Sequence, residues 1–284
     1  MLKYWWLIGG SIVVVLTFVA ASMDFRHTDN YIKRQFRNKA YMPTFANFQT
    51  PNGKTIHYWG INLEQSDKPT LLFIHGAPGS SYDFINYMLN DTLVANFRLI
   101  TVDRLGYGYS DFGQACASIE QQAQAISLIF ERHPSDKGFY IVGHSYGCAV
   151  ACYLLANYPT LIRQGILVAP VIDPEHEKIF AISHWVKHKW LQPLVPQVWK
   201  VANVEKLEHA NELQKMSNIW GQIKQPVFVL HGEKDWIAPI DNATFAERYF
   251  TAANLRVFRY AKLDHFIPFT KPHLITQILL NKQD

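Results

Sequence analysis

The stretch Gly-His-Ser-Tyr-Gly at residues 143–147 fits the pattern G-x-S-x-G, and it decides how the rest of the chain is interpreted. Residues 139–142 before it are apolar, aromatic and β-branched, which predicts a short buried strand. Residues 148–156 after it are mostly small or apolar and predict a helix packed closely on a sheet. Glycines on both sides of the serine permit a sharp turn from strand to helix. Ser145 at the tip of that turn is therefore a candidate nucleophile.

The composition is that of a globular protein, with 284 residues of which 49% are apolar and 18% charged. This length accommodates one α/β domain with a small insertion. The net charge of +4 is spread along the chain without a dense basic tract, which argues against nucleic acid as a partner. The three cysteines are too few for a disulfide framework, and Cys148 and Cys152 on the predicted helix are expected to be buried thiols. No pattern indicates an oligomeric state.

Residues 1–23 are predicted to be a membrane anchor or a signal segment. Residues 4–23 are 20 consecutive uncharged residues, a length that can cross a bilayer as a helix. Lys3 before the run and the small residues near its end also fit a cleavable signal peptide, which would release an exported soluble form. The uncharged run is long for a signal peptide, so we favour an uncleaved anchor through which the protein binds the membrane.

The side of the membrane on which the domain lies stays open. Residues 24–44 are polar and basic and predict a juxtamembrane linker or a short helix. The positive-inside rule would keep the domain in the cytoplasm, because five basic residues follow the apolar run and Lys3 precedes it. Export of large domains behind an N-terminal anchor also occurs.

Residues 45–284 alternate between strand-like and helix-like segments. A hairpin is predicted over residues 45–59, and the later strands are predicted at residues 70–74, 97–102, 139–142, 165–169, 226–230 and 255–259. Helices are predicted at residues 81–94, 118–132 and 272–282, besides the one after Ser145. This alternation predicts an α/β class with a mostly parallel, doubly wound sheet.

An insertion at residues 171–221 interrupts the alternation with helical patterning and no strand signal. It carries Trp185, Trp190 and Trp199 among many apolar residues and follows the carboxyl end of a strand, where ligands bind in such sheets. His184 and His188 have a spacing that can suit a metal, but no accompanying glutamate motif is present. We therefore interpret this helix as amphipathic and predict no metal or cofactor site.

An activated serine needs a base that removes its proton and an acid that orients the base. In one known chain order the serine comes first, the acid second and the histidine last. Asp235 lies in the loop after the strand at residues 226–230, and His265 lies in the loop after the strand at 255–259. Asp235 would accept the Nδ1 hydrogen of His265, and His265 Nε2 would deprotonate Ser145.

Alternatives to the acid and the base remain open at this point. Asp235 could instead cap the helix that begins near Pro239. Asp173, which directly follows the preceding strand, is the best competing acid, and His273 is the other histidine late enough in the chain. The remaining competing acids are Glu233 and Asp264.

Acyl transfer also needs donors for a developing oxyanion. The strand at residues 70–74 runs into His-Gly-Ala-Pro-Gly-Ser at residues 75–80, where small residues let the backbone approach a substrate. The N–H groups of Ala77 and Tyr146 are the predicted oxyanion hole, and a plain glycine-rich turn is the alternative. The loop lacks the lysine of a phosphate-binding loop.

Five motifs in this order resemble the α/β-hydrolase superfamily, in its serine-nucleophile branch of esterase-like and epoxide-hydrolase-like proteins. They are HGAPGS at residues 75–80, DRLGYGYS at 103–110, GHSYG at 143–147, HGEKD at 231–235 and DH at 264–265. The resemblance implies an α/β-hydrolase fold with a small helical cap at residues 171–221 and no cofactor.

The same resemblance implies Ser145 as nucleophile, Asp235 as acid, His265 as base, and Ala77 and Tyr146 as oxyanion donors. Related epoxide hydrolases and haloalkane dehalogenases carry aspartate in place of the serine, so their chemistry is not expected here. The HGGPG and GGSWG motifs of proline iminopeptidases are only partly matched. Residues 103–110 are expected to be structural.

The sequence therefore predicts a membrane-tethered serine hydrolase that cleaves an ester-like carbonyl through an acyl-enzyme. The tryptophan-rich insertion favours a hydrophobic acyl or aromatic group, and the anchor makes lipid-derived esters candidate substrates. An amidase, a C–C bond hydrolase or an acyltransferase would use the same residues. A catalytically silent binding protein is the alternative from another class, and the intact Ser, Asp and His argue against it.

Overall fold

A computed structural model describes residues 25–186, 190 and 192–280 of the chain. The predicted membrane segment at residues 4–23 and His188 of the predicted histidine pair lie outside these residues. Within the described part, no helix is long and apolar enough to cross a bilayer.

The described residues form one sheet of eight strands in the order β1-β2-β4-β3-β5-β6-β7-β8. β1 and β2 form the predicted antiparallel hairpin, β2 pairs antiparallel with β4, and the six strands β3 to β8 are parallel. The mostly parallel sheet is therefore confirmed. The strands are β1 Thr44–Gln49, β2 Thr55–Ile61, β3 Thr70–Ile74, β4 Arg98–Val102, β5 Phe139–His144, β6 Ile162–Val168, β7 Val227–Gly232 and β8 Leu255–Tyr260.

Helices connect the parallel strands and cover both faces of the sheet. The α-helices are α1 Asp29–Gln35, α2 Ile85–Met88, α3 Asp91–Asn96, α4 Ile119–Arg132, α5 Tyr146–Asn157, α6 Ala181–Val186, α7 Gln197–Lys215, α8 Asp241–Tyr249, α9 Ile267–Thr270 and α10 Pro272–Leu280. Short 3₁₀ turns lie at Ser81–Phe84, Gln192–Leu194 and Trp220–Gln222. The short helix allowed for in the linker is α1.

The single helix predicted over residues 81–94 is wrong, because the structure divides it into a 3₁₀ turn, α2 and α3. Asn90 explains the break. Its side-chain oxygen accepts the N–H groups of Thr92 and Leu93 at 3.0 and 3.1 Å, which ends one helix and caps the next.

The central strands are buried on both faces, as expected of a parallel sheet covered by helices. Alternate residues point to opposite sides, so Leu72 and Ile141 join the core beneath α4 and α5, whereas Phe73 and Val142 join the core beneath α2 and α10. The small residues of α5, including the buried Cys148 and Cys152, allow this helix to lie close to the sheet.

The connection from β6 to β7 contains α6 and α7 and, in its described part, no strand. The inner face of α7 brings Val198 and Val201 against Tyr107 and Ala77, which lie in loops at the carboxyl ends of the strands. The helical insertion thus covers the edge of the sheet where the predicted site residues lie. Its domain boundaries at residues 171 and 221 stay a prediction.

Candidate active site

Ser145 lies on a sharp turn between β5 and α5 with φ 53° and ψ −122°, a backbone conformation that residues other than glycine rarely adopt. Its N–H donates to the carbonyl of Val168 at 3.0 Å, which ties the turn to the neighbouring strand. A Cβ at Gly147 would lie 2.4 Å from the carbonyl oxygen of Ile74. Glycine at that position therefore lets the turn approach β3.

Ser145, His265 and Asp235 form one chain of hydrogen bonds. The Ser145 Oγ and His265 Nε2 atoms are 3.0 Å apart, and His265 Nδ1 is 2.7 Å from Asp235 Oδ2. All three residues are buried, with at most 7% of their surface exposed. Because a carboxylate can only accept, Nδ1 carries the hydrogen and Nε2 is free to accept from the serine hydroxyl.

The second oxygen of Asp235 is held by the backbone. Oδ1 accepts the N–H groups of Ile237 at 2.9 Å and Ala238 at 2.8 Å. Burial disfavours the carboxylate, but the hydrogen bond and charge of His265 and the Ala238 N–H outweigh it, so the pKa of Asp235 lies below its ordinary value. The carboxylate is therefore ionised at neutral pH and orients His265.

The competing acids and base lie in other surroundings. Asp173 Oδ2 is 2.7 Å from His176 Nδ1, and Asp264 accepts the backbone N–H of Phe266 at 3.0 Å. Glu233 and His273 are exposed. The structure brings Asp235, and none of these three acids, into hydrogen-bonding distance of His265.

The predicted oxyanion donors flank Ser145. A Cβ at Gly76 would lie 3.0 Å from Ser145 Cβ, so the loop that carries Ala77 runs beside the serine. Tyr146 is the first residue of α5, where a backbone N–H has no acceptor within the helix and the helix dipole favours negative charge. Their role as oxyanion donors stays a prediction.

Two buried histidines that sequence reasoning did not assign support the site loops. His144 Nε2 donates to the carbonyl of His265 at 3.1 Å. His75 Nε2 accepts the backbone N–H of Arg104 at 3.0 Å, and its Nδ1 lies 2.8 Å from the Gly76 carbonyl. Burial, with nearby positive charge, lowers the pKa of both imidazoles to about 3. Both imidazoles are therefore neutral at physiological pH and support the loops through their hydrogen bonds.

The inner face of α7 is polar at three buried positions, Glu205, His209 and Glu212. The His209 ring stacks on the Tyr146 ring with centroids 4.5 Å apart. Its Nδ1 lies 3.2 Å from Glu177 Oε2, and its Nε2 is buried without a hydrogen-bond partner among the described residues. Sequence reasoning missed these residues, although their i, i+4, i+7 spacing on one helix face was a signal that could have found them.

A family model described as "alpha/beta hydrolase fold" matches residues 69–198. The chain is 25% identical to a bifunctional esterase/perhydrolase of Acinetobacter calcoaceticus, over 81% of this chain and 96% of that protein. It superposes on the esterase Pf2001 of Pyrococcus furiosus with a TM-score of 0.65 and 16% identity, covering 87% and 91% of the two chains.

Part of this chain is similar in sequence to a plant protein. It is described as a probable 1-acylglycerol-3-phosphate O-acyltransferase of Oryza sativa subsp. japonica and is 29% identical over 59% of this chain. The aligned region covers 38% of the length of the rice protein. In three relatives from Arabidopsis thaliana the aligned regions cover between 23% and 31% of each protein, so this chain spans less than half the length of these relatives. The matched family model, the strand order and the turn at Ser145 agree with one another, and the chain has the α/β-hydrolase fold.

Proposed function

We propose that this protein is a serine hydrolase that cleaves carboxylic esters with a hydrophobic acyl or aromatic group. The observation that carries the proposal is the hydrogen-bonded chain from Ser145 Oγ through His265 to Asp235, at the strained turn between β5 and α5. Such a chain is the arrangement that activates a serine hydroxyl at neutral pH.

The reaction proceeds in two acyl transfers. Ser145 Oγ attacks the ester carbonyl while His265 Nε2 takes its proton, and the N–H groups of Ala77 and Tyr146 stabilise the oxyanion. His265 then protonates the leaving alcohol, which leaves an acyl-enzyme. Water that gives a proton to His265 attacks this ester and releases the acid. Asp235 keeps the histidine in the required tautomer and stabilises its charged form in both halves.

Exposed apolar side chains around the site support a hydrophobic substrate. Trp236 follows the acid and Phe266 follows the base, and they are 61% and 42% exposed. Trp190 and Trp199 of the insertion are also exposed. Large exposed apolar side chains next to a site are typical of a surface that binds apolar ligands or lipid.

The membrane anchor at residues 4–23 belongs to the proposal as well. The first described residues lie against the cap and the site loops. The Phe25 ring is 6.5 Å from the Trp199 ring, and the Arg26 guanidinium lies 4.5 Å and 4.4 Å from the ring centroids of Tyr109 and Phe112. An anchor attached there would hold the esterase close to lipid-derived esters.

Covalent labelling tests the proposed nucleophile. A fluorophosphonate should modify the folded protein on Ser145, and the Ser145→Ala variant should give no adduct. A peptide map identifies the modified residue. A wild-type protein that is folded but unlabelled would support the catalytically silent alternative and overturn the hydrolase.

A panel of p-nitrophenyl esters of increasing acyl length tests the substrate class. We expect kcat/KM to rise from acetate to medium and long acyl groups, because each buried methylene adds roughly 0.8 kcal/mol of transfer free energy. A preference for acetate would contradict a hydrophobic acyl site while leaving the serine hydrolase intact.

Acyl transfer to an alcohol is the second candidate, and the similarity to the rice acyltransferase favours it. The same acyl-enzyme would then react with a hydroxyl of a lysolipid rather than with water. Supplying 1-acylglycerol 3-phosphate together with an activated ester distinguishes the two. A diacyl product would favour transfer, and free acid alone would favour hydrolysis.

A further inference from the structure

Arg104 is a fully buried cation between the oxyanion loop at residues 75–80 and the cap helix α7. Its Nε donates to the carbonyl of His75 and its Nη2 to the carbonyl of Gly76, both at 2.9 Å. Its backbone N–H donates to His75 Nε2 at 3.0 Å. Three hydrogen bonds from one residue thus fix the first two residues of the loop.

The bond to the Gly76 carbonyl orients Ala77. The peptide that joins Gly76 to Ala77 is planar and trans, so its C=O and N–H point in opposite directions. Because the guanidinium of Arg104 holds the C=O, the Ala77 N–H must point away from Arg104. The same loop runs beside Ser145 at Gly76, so an N–H turned away from Arg104 can face a substrate carbonyl bound at the serine.

Arg104 also contacts the second oxyanion donor. Its guanidinium lies 4.5 Å from the ring centroid of Tyr146, whose hydroxyl donates to the carbonyl of Ala117 at 2.9 Å. A cation over an aromatic face is attractive, more so when both groups are removed from water. One side chain therefore holds the carbonyl of the peptide that carries the Ala77 N–H and contacts the ring of Tyr146.

The cap helix holds Arg104 in place through Glu205. The carboxylate accepts from Arg104 Nη1 at 2.7 Å and from Nη2 at 3.1 Å, in a two-pronged pair. It also accepts from the Tyr107 hydroxyl at 2.6 Å and from Gln122 Nε2 at 2.9 Å. Glu205 is fully buried, so the ion pair is shielded from water and its geometry is fixed.

We propose that Arg104 is a positioning residue through which Glu205 on the docked cap helix sets the direction of the Ala77 N–H. The oxyanion hole is then complete when α7 lies on the body of the protein with Glu205 seated on Arg104. This role rests on the proposed acyl transfer at Ser145. It concerns transition-state stabilisation, so it predicts a loss in kcat rather than in substrate binding.

The test compares Glu205→Gln with Glu212→Gln. Glu212 is a matched control, because it is a buried acid on the same face of α7 that accepts the backbone N–H of Ile119 at 3.2 Å, away from the oxyanion loop. We expect Glu205→Gln to lower kcat by about 10- to 100-fold with KM within about two-fold, and Glu212→Gln to stay within about two-fold of wild type in both.

A trifluoromethyl ketone gives a second readout. Ser145 Oγ adds to its carbonyl, the proton passes to His265, and the resulting oxyanion occupies the hole. In Glu205→Gln its inhibition constant should rise by the same factor as kcat/KM falls, because both report binding of the oxyanion. A loss of general stability alone would leave this constant unchanged in the folded fraction.

Wild-type kcat and wild-type ketone affinity in folded Glu205→Gln would overturn the positioning role. If that variant does not fold, Tyr107→Phe replaces it, because it removes one hydrogen bond to Glu205 and keeps the aromatic ring. We expect a few-fold fall in kcat for Tyr107→Phe, and an unchanged kcat would overturn the positioning role. Wild-type protein that neither labels nor hydrolyses any ester would instead show that the proposed function has failed.

Discussion

At the scale of single residues, the two carboxylate oxygens of Asp235 have different hydrogen-bond partners. Oδ1 is fixed by two backbone N–H groups and Oδ2 faces His265 Nδ1, so the backbone sets where the carboxylate points. The alternative in which Asp235 caps the helix near Pro239 is wrong, because α8 begins at Asp241 with Ile240 as its N-cap, and Asp235 Oδ1 instead accepts the N–H groups of the preceding turn. The acid can orient the base because its own position is determined by the turn.

Asp235→Asn should lower kcat by roughly 10³- to 10⁴-fold with little change in stability. An amide can donate to His265 Nδ1, which would move the hydrogen to Nε2 and leave no acceptor for the serine hydroxyl. Steady-state hydrolysis of a p-nitrophenyl ester measures the effect. Asp173→Asn is the matched control, because Asp173 pairs with His176, and it should keep kcat near wild type. The opposite ranking of the two variants would make Asp173 the acid.

His144 should make the folded protein sensitive to acid. Its folded pKa of about 3 lies below the value of about 6.5 for an exposed imidazole, so below pH 6.5 the unfolded chain binds a proton that the folded chain rejects. Stability rises with pH where the unfolded state binds more protons, so this contribution is complete above pH 6.5 and is lost as pH falls towards 3. The loss is about 2 kcal/mol by pH 5.

Urea unfolding of wild type and His144→Gln between pH 8 and pH 5 tests this. Glutamine can still donate to the His265 carbonyl but does not titrate. The wild-type advantage in the free energy of unfolding should therefore shrink by about 2 kcal/mol as pH falls over this range. An advantage that stays constant with pH would show that His144 is not a buried neutral imidazole.

At the scale of elements, the turn at Ser145 depends on how closely α5 approaches β3. A methyl group at Gly147 would clash with the carbonyl oxygens of Ile74 and His75 at 2.4 and 2.6 Å, both in rigid backbone. Either the helix moves away from the sheet or the turn changes, and both displace Ser145.

Gly147→Ala should therefore lower the free energy of unfolding by more than about 2 kcal/mol and reduce fluorophosphonate labelling in the protein that still folds. Gly221→Ala is the control, since the nearest atom to its Cβ would be the Thr251 hydroxyl at 3.3 Å, and it should stay within about 0.5 kcal/mol of wild type. Urea denaturation measures both. Equal stabilities would show that the close approach is not required.

Sequence patterns predicted most strands because apolar, β-branched runs bounded by turns indicate buried strands without knowledge of the partners. The division of residues 81–94 was not predicted, because the apolar spacing continues through Asn90 and only the cap geometry reveals the break. The pairing of Arg104 with Glu205 joins residues 101 positions apart, and a single sequence contains no signal for such a contact.

At the scale of the whole molecule, the candidate site is assembled from loops far apart in the chain. The parallel sheet places the carboxyl ends of β5, β7 and β8 at one edge, so Ser145, Asp235 and His265 can meet although 120 residues separate the first from the last. Their order along the chain made this arrangement predictable. The spacing of Glu205, His209 and Glu212 indicates a polar face on the cap helix, but the sequence does not show where that face points, because its direction depends on how α7 docks.

The proposed membrane anchor at residues 4–23 would determine where this assembly works. Phe25 lies against Trp199 of the cap, so a span at residues 4–23 would approach the cap side of the molecule. We expect the full chain to stay in the membrane pellet after an alkaline carbonate wash. Val13→Arg with Val15→Asp should release it, because charged residues near the centre of a span each cost about 2.5–3.5 kcal/mol, whereas Val13→Leu with Val15→Leu should not. Recovery of wild type in the wash, with a new amino terminus near residue 23 by mass spectrometry, would identify a cleaved signal peptide and overturn the anchor.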